Sequence, residues 1–176
     1  MPDHVPFHVH VFEGDITRIP ADAIVNAANE SLSAGGGVCG AIFRAAGTEE
    51  LGQACRDIGH CPTGQAVITP AFAIATAKHI IHAVGPVYAS HTPAEARRLL
   101  RMAYSSAIRL AAESGCRTIA FPAISTGIYG YPLEDACREA VEVCSEEGSE
   151  AGLDILLVAF DAKTAAVLRQ CIEARA

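Results

Sequence analysis

The chain reads as an α/β protein, three layers deep, with a central mixed, mostly parallel sheet between helices. Three observations support that class. Apolar runs of strand length alternate with helical patterns along the chain. One of them, 153–160 (LDILLVAF), is apolar at nearly every position, as in a strand covered on both faces. Two glycine-bearing loops, 30–40 and 123–131, each follow a strand. Both should therefore open on the carboxyl edge of the sheet, where ligands of such folds sit.

Taken in order, residues 5–12 (VPFHVHVF) alternate and predict a first strand, closed by the turn Glu13-Gly14-Asp15. The short apolar run Ala23–Ala27 predicts a buried strand. A helix follows over 40–58, with Ile42, Ala45, Ala46, Leu51 and Cys55 on its apolar side. Strands are expected at 65–69 and 78–84, the second ended by Gly85-Pro86. Over 94–113, Leu99, Leu100, Ala103, Ala107, Leu110 and Ala111 keep helical spacing, and Gly115 supplies a stop. Then come a strand at Thr118–Phe121, a long loop PAISTGIYGYP, a helix over 133–147, the strand at 153–160 and a helix over 162–174.

A length of 176 residues suits one domain spanning 1–176, and a hydrophobic content of 51% argues against disorder. No apolar stretch is long enough to cross a bilayer, and the N-terminus has no secretory pattern. Seven scattered cysteines, an odd number, fit reduced thiols, so a cytoplasmic protein is expected. The net charge of −7 makes the chain a poor trap for a polyanion, and neither a nucleic-acid nor a membrane partner is expected. Arg97, Arg98 and Arg101 cluster on an amphipathic helix, where a solvated face accounts for them. Any phosphate should be held by backbone N–H groups.

That focuses attention on AGGGVCGAIFRAAG, residues 34–47. Each glycine in a regular element costs roughly 0.5–1 kcal/mol against alanine, so such a run marks unusual dihedrals or close approach by a ligand. Gly35, Gly37 and Gly40 formally match G-x-G-x-x-G, but Ala28–Ala34 separate them from the strand and no acidic residue ends the next one. The dinucleotide reading is correspondingly weak. A Walker pattern is absent. In the second loop Ser125, Thr126, Gly127, Ile128 and Tyr129 lie between strand and helix, leaving amides to face an anion; ordinary capping is the alternative. Two such loops on one sheet edge favour a diphosphate cradle. Neither His8 with His10 nor Cys55, His60 and Cys61 has a recognised zinc spacing, so no metal and no cofactor are expected. Cys137 and Cys144, seven apart, fit a buried helix face. With no histidine in either loop, Cys39 reads as a small uncharged lining residue in preference to a nucleophile.

GDIT (14–17), DAIVNAANESL (22–32), GGGVCGAIFRAAG (35–47), CPTGQAVIT (61–69), IIHAVGP (80–86) and AFPAISTGIYGYP (120–132) together resemble the macrodomain family, in its MacroD-type branch. The match runs in order over about residues 12–160. The resemblance implies an ADP-ribose-binding protein that hydrolyses mono-ADP-ribose from acidic side chains, or O-acetyl-ADP-ribose. A non-catalytic reader of ADP-ribosylated proteins is the alternative. It further implies that Asp15 accepts from the adenine amino group beside the amide of Ile16, and that Phe160 stacks on adenine unless it is a core residue. Gly35, Gly36, Gly37, Val38, Cys39 and Gly40 would wrap the distal ribose and adenosine-side phosphate. Ser125 to Tyr129 would take the other phosphate, and Asn29 would orient the ribose and the attacking water as the catalytic residue. Two departures stand out: Cys39 replaces the usual aspartate, and Phe43 the usual histidine. Some viral members lack that acid and still hydrolyse, which suggests that the substrate phosphate takes the proton.

Overall fold

The computed structural model describes residues 8–175. Six strands form one sheet: β1 (Val9–Glu13), β6 (Asp154–Ala159), β5 (Thr118–Phe121), β2 (Ala23–Ala28), β4 (His79–Val84) and β3 (Ala66–Pro70), in that spatial order. Neighbours are parallel except β3 and β4, which are antiparallel. The five parallel strands therefore end on one edge. Helices α1 (Gly37–Ala46) and α2 (Thr48–Ile58) cover one face; α3 (Pro93–Glu113), α4 (Leu133–Ala151) and α5 (Ala162–Glu173) cover the other.

The two-residue period of a strand divides the core cleanly. In β2, Ala23 and Val25 pack toward α3 and α4, while Ile24 and Ala28 pack toward α1 and α2. Ile24 and its β4 partner Ile80 are fully buried, each contributing roughly 1.5–3 kcal/mol relative to exposure. A polar ladder crosses the α1/α2 face. The buried His82 imidazole lies 3.0 Å from Asn26 through Nδ1 and 3.0 Å from Thr69 Oγ1 through Nε2. The single hydroxyl proton of Thr69 goes to the Pro70 carbonyl at 3.1 Å. Thr69 therefore accepts from His82 Nε2–H, and Nδ1 accepts from the Asn26 amide: the neutral Nε2–H tautomer fits throughout. Burial pushes the His82 pKa down to about 4.

Most expected elements lie within a residue or two of their predicted bounds; Val5–Phe7 of the first strand fall outside the described residues. The predicted helix over 40–58 is in fact two. Gly47 takes φ +105°, outside helical space, with its N–H on the Phe43 carbonyl, and α2 restarts at Thr48. α1 begins three residues earlier than expected, at Gly37. α4 continues through buried Gly148 to Ala151 and stops at Gly152 in the left-handed conformation. Among the described residues no helix is long and apolar enough to cross a membrane.

Candidate functional site

A cleft of about 1130 Å³ opens at the carboxyl ends of the parallel strands. Both glycine-bearing loops form its walls. The first leaves β2 at Asn29, whose Oδ1 accepts from the Ser33 amide at 3.0 Å and the Ser31 hydroxyl at 2.9 Å. The chain then enters α1 through Gly35, Gly36 and Gly37. A Cβ on Gly36 or Gly37 would meet no protein atom within 4 Å, so at these positions the bare backbone faces open cleft. No side chain caps α1, and the first-turn amides of Gly37, Val38 and Cys39 have no intrahelical partner. Such a helix start attracts anions.

The second loop follows β5. Ser125 is 6% exposed, takes φ +68°, and its Oγ has no hydrogen-bond partner among the described residues. Bonds from the Tyr131 amide to the Ser125 carbonyl (2.9 Å) and from the Gly130 amide to the Gly127 carbonyl (3.0 Å) hold the loop in shape. The amides of Gly127, Ile128 and Tyr129 have no partner among the described residues. Behind it, Gly85 is packed so closely that a Cβ there would collide with Ser125 Oγ and approach Ile124 Cγ2 to 2.5 Å.

At the far end, Asp15 Oδ1 accepts from the Thr17 amide (2.9 Å) and hydroxyl (2.7 Å), which holds its carboxyl below the usual value. Oδ2 remains open, with Arg18 Nε at 3.8 Å. Phe160 lines the same end and is 83% exposed, so it is not a core phenylalanine.

The expected residues Asp15, Ile16, Asn29, Gly35 to Cys39, Ser125 to Tyr129 and Phe160 all line the cleft. Gly40, expected beside them, is buried and lies outside the lining; a Cβ on it would come within 2.6 Å of the Gly35 carbonyl, so the bare backbone there lets the loop close against α1. Cys39, 7% exposed, is the third residue of α1, with its thiol 3.8 Å from the Ser33 carbonyl. Phe43 is buried in the core beneath. Sequence reasoning missed two cations in the cleft wall, Arg44 and Lys163. Helical spacing carried the signal for the first, since Gly37, Ala41 and Arg44 share one face of α1. Among the described residues no group of three His, Cys, Asp or Glu could hold a metal ion.

Residues 25–140 match the Macro domain family. The O-acetyl-ADP-ribose deacetylase of Citrobacter rodentium is 53% identical over 142 residues, covering 78% of each protein. The ADP-ribose glycohydrolase MACROD2 of Xenopus laevis is 49% identical over 138 residues, covering 78% of this chain and 32% of that protein. Among solved structures, the Oceanobacillus iheyensis macrodomain superposes with TM-score 0.88 at 35% identity, over 94% of this chain and 90% of its own. The Trypanosoma brucei macrodomain in complex with ADP-ribose superposes with TM-score 0.85 at 35% identity, over 94% of this chain and 69% of its own.

Proposed function

The chain belongs to the Macro domain family, and we propose that it binds ADP-ribose in this cleft and hydrolyses it from acidic side chains or from O-acetyl-ADP-ribose. The observation that carries the proposal is the convergence of two sets of unpartnered amides, from the start of α1 and from Gly127–Tyr129, on one cleft. A diphosphate accepts from such amides without requiring a basic protein, which reconciles phosphate binding with a net charge of −7. Arg44 and Lys163 add positive charge to the cleft lining.

In this reading adenine lies between Asp15 Oδ2 and the Phe160 ring, with the amide of Ile16 alongside. The phosphates take the amides of Gly35 to Cys39 and of Ser125 to Tyr129, and Asn29 faces the distal ribose. Water attacks either the anomeric carbon, releasing a carboxylate, or the acyl carbonyl, releasing acetate. The cleft-lining carboxylates, Asp15 and Asp161, belong to the ends of β1 and β6, away from Asn29. No protein base is thus assigned, and positioning of water against the bound substrate supplies most of the acceleration, with the substrate phosphate taking the proton. The relatives named as a deacetylase and a glycohydrolase support the catalytic version. The uncharged Cys39 supports the second reading, a non-catalytic reader built on the same cleft.

Calorimetry with free ADP-ribose and a turnover assay on a mono-ADP-ribosylated protein separate the two. Binding at about −8 kcal/mol, the micromolar range, with release of ADP-ribose supports the enzyme. Binding without turnover of either substrate leaves the reader. No saturation at millimolar ligand overturns both.

A further inference from the structure

Asn29 is restrained almost entirely by the four residues that follow it. Its Oδ1 accepts from the Ser33 amide at 3.0 Å and the Ser31 hydroxyl at 2.9 Å, and the Ser33 hydroxyl lies 3.3 Å away. The two hydroxyls are 3.0 Å apart, so Ser33 can donate to Ser31 while Ser31 donates to Asn29. One Nδ2 proton of Asn29 goes to the Ser33 carbonyl at 3.2 Å. The same carbonyl is the acceptor for the Cys39 thiol at 3.8 Å. The turn that allows this runs through Leu32, at φ +57° and 3% exposed, with its amide on the Asn29 carbonyl at 3.0 Å. An amide oxygen has two lone pairs and an amide nitrogen two protons. Both lone pairs are taken, and one proton.

We propose that Ser33, with Ser31, is a positioning residue that fixes Asn29 as a single-proton donor to the substrate. On the hydrolase reading above, on which this rests, Asn29 then holds a ribose hydroxyl or the leaving oxygen by donating Nδ2–H, and does not accept from the attacking water. The water is oriented by the substrate's own phosphate and by backbone groups.

The test uses the intact chain with Ser31→Ala/Ser33→Ala, Ser31→Thr/Ser33→Thr and Asn29→Asp. Side-chain amide NMR of the parent should show two distinct Asn29 Nδ2 protons, one of which shifts on adding ADP-ribose. In the double alanine variant they should broaden or converge, kcat should fall about three- to tenfold, and KM and Tm should stay near the parent's; the double threonine variant should recover kcat. Asn29→Asp keeps the accepting oxygen and the volume but loses the donor, and kcat should fall at least tenfold. Turnover at or above the parent level in Asn29→Asp overturns the proposal, because Asn29 would then act as an acceptor. An unchanged Asn29 amide spectrum in the double alanine variant also overturns it. If the parent binds ADP-ribose without turnover, the hydrolase reading fails, and the spectra still decide whether the serines fix the amide.

Discussion

Replacing Gly85 by alanine tests whether the second loop is held rigidly against the end of β4. The added Cβ would overlap Ser125 Oγ and lie 2.5 Å from Ile124 Cγ2. Neither neighbour yields readily. Ile124 is buried, with its amide bonded to the Tyr104 hydroxyl at 3.2 Å, and Ser125 already sits at φ +68°. Overpacking of this kind costs about 1–3 kcal/mol. For a chain this long each kcal/mol lowers Tm by about 2–4 °C, so Gly85→Ala should melt about 2–12 °C below the parent. The same displacement moves the amides of Gly127 to Tyr129, and charge-assisted hydrogen bonds are worth about 1.5–3 kcal/mol each. ADP-ribose affinity should therefore fall tenfold or more, about 1.4 kcal/mol at least, in a calorimetric titration. Gly52→Ala is the control: in the middle of α2 its Cβ meets only the Arg56 side chain, at 3.2 Å. That variant should gain up to roughly 1 kcal/mol of stability and bind as the parent does. If Gly85→Ala binds ADP-ribose with parental affinity and melts with the parent, the proposed packing of loop and strand is wrong.

Other variants separate binding, catalysis and stability. Asp15→Asn keeps the Oδ1 that caps Ile16–Arg18 but presents a donor to adenine, so Tm should hold while ADP-ribose affinity drops about 5–150-fold, roughly 1–3 kcal/mol. Asp15→Ala should lose the cap as well, roughly 0.5–2 kcal/mol by urea unfolding; parental affinity in either variant removes Asp15 from the adenine site. Cys39→Ala should retain most turnover and normal binding, since among the described residues the thiol's one hydrogen-bond partner is the Ser33 carbonyl, at 3.8 Å. Cys39→Asp should raise turnover, and an ADP-ribosyl or acyl adduct on Cys39 in a quenched parent reaction, seen by mass spectrometry, would refute both expectations. His82 is held neutral, its pKa lowered by burial from 6.5 to about 4. The unfolded chain therefore binds the extra proton in that interval, and stability, full above pH 6.5, falls as pH drops through it. At pH 4.5 the loss should approach roughly 2.5 kcal/mol relative to pH 8. Asp15 and Asp22, whose pKa values are lowered, lose their contribution mainly below their ordinary value of 3.8, outside this window. A urea midpoint constant from pH 8 to 4.5 would rule out the neutral buried imidazole.

The parts legible in sequence are those set by local backbone chemistry. LDILLVAF becomes β6, covered on both faces, because a strand with a helical layer on each side has no face left for polar residues. Pro93 and Thr92 start α3 and Gly152 ends α4 through dihedral and capping preferences confined to a few neighbouring residues. The site's position was legible for a related reason: loops that leave the ends of parallel strands must open on the carboxyl edge. Even so, the break at Gly47 escaped the helical pattern, since apolar residues Ile42, Ala45, Ala46, Leu51 and Cys55 lie on both sides of it and only its φ of +105° separates α1 from α2.

The chain's own residues thus determined the layers, the sheet edge that carries the cleft and the loops that line it. Tertiary structure decided where each residue sits there. Gly40 leaves room for the Gly35 carbonyl, which a Cβ there would approach to 2.6 Å, and Gly85, 40 positions before Ser125, backs the second loop. Phe160 lies exposed at the cleft, while Phe43 sinks into the core. Arg44 and Lys163 enter the wall of a protein whose net charge suggested amides alone. Such roles depend on distances between segments far apart in sequence, which packing of the helical layers on the sheet imposes and which no period of 2 or 3.6 residues encodes.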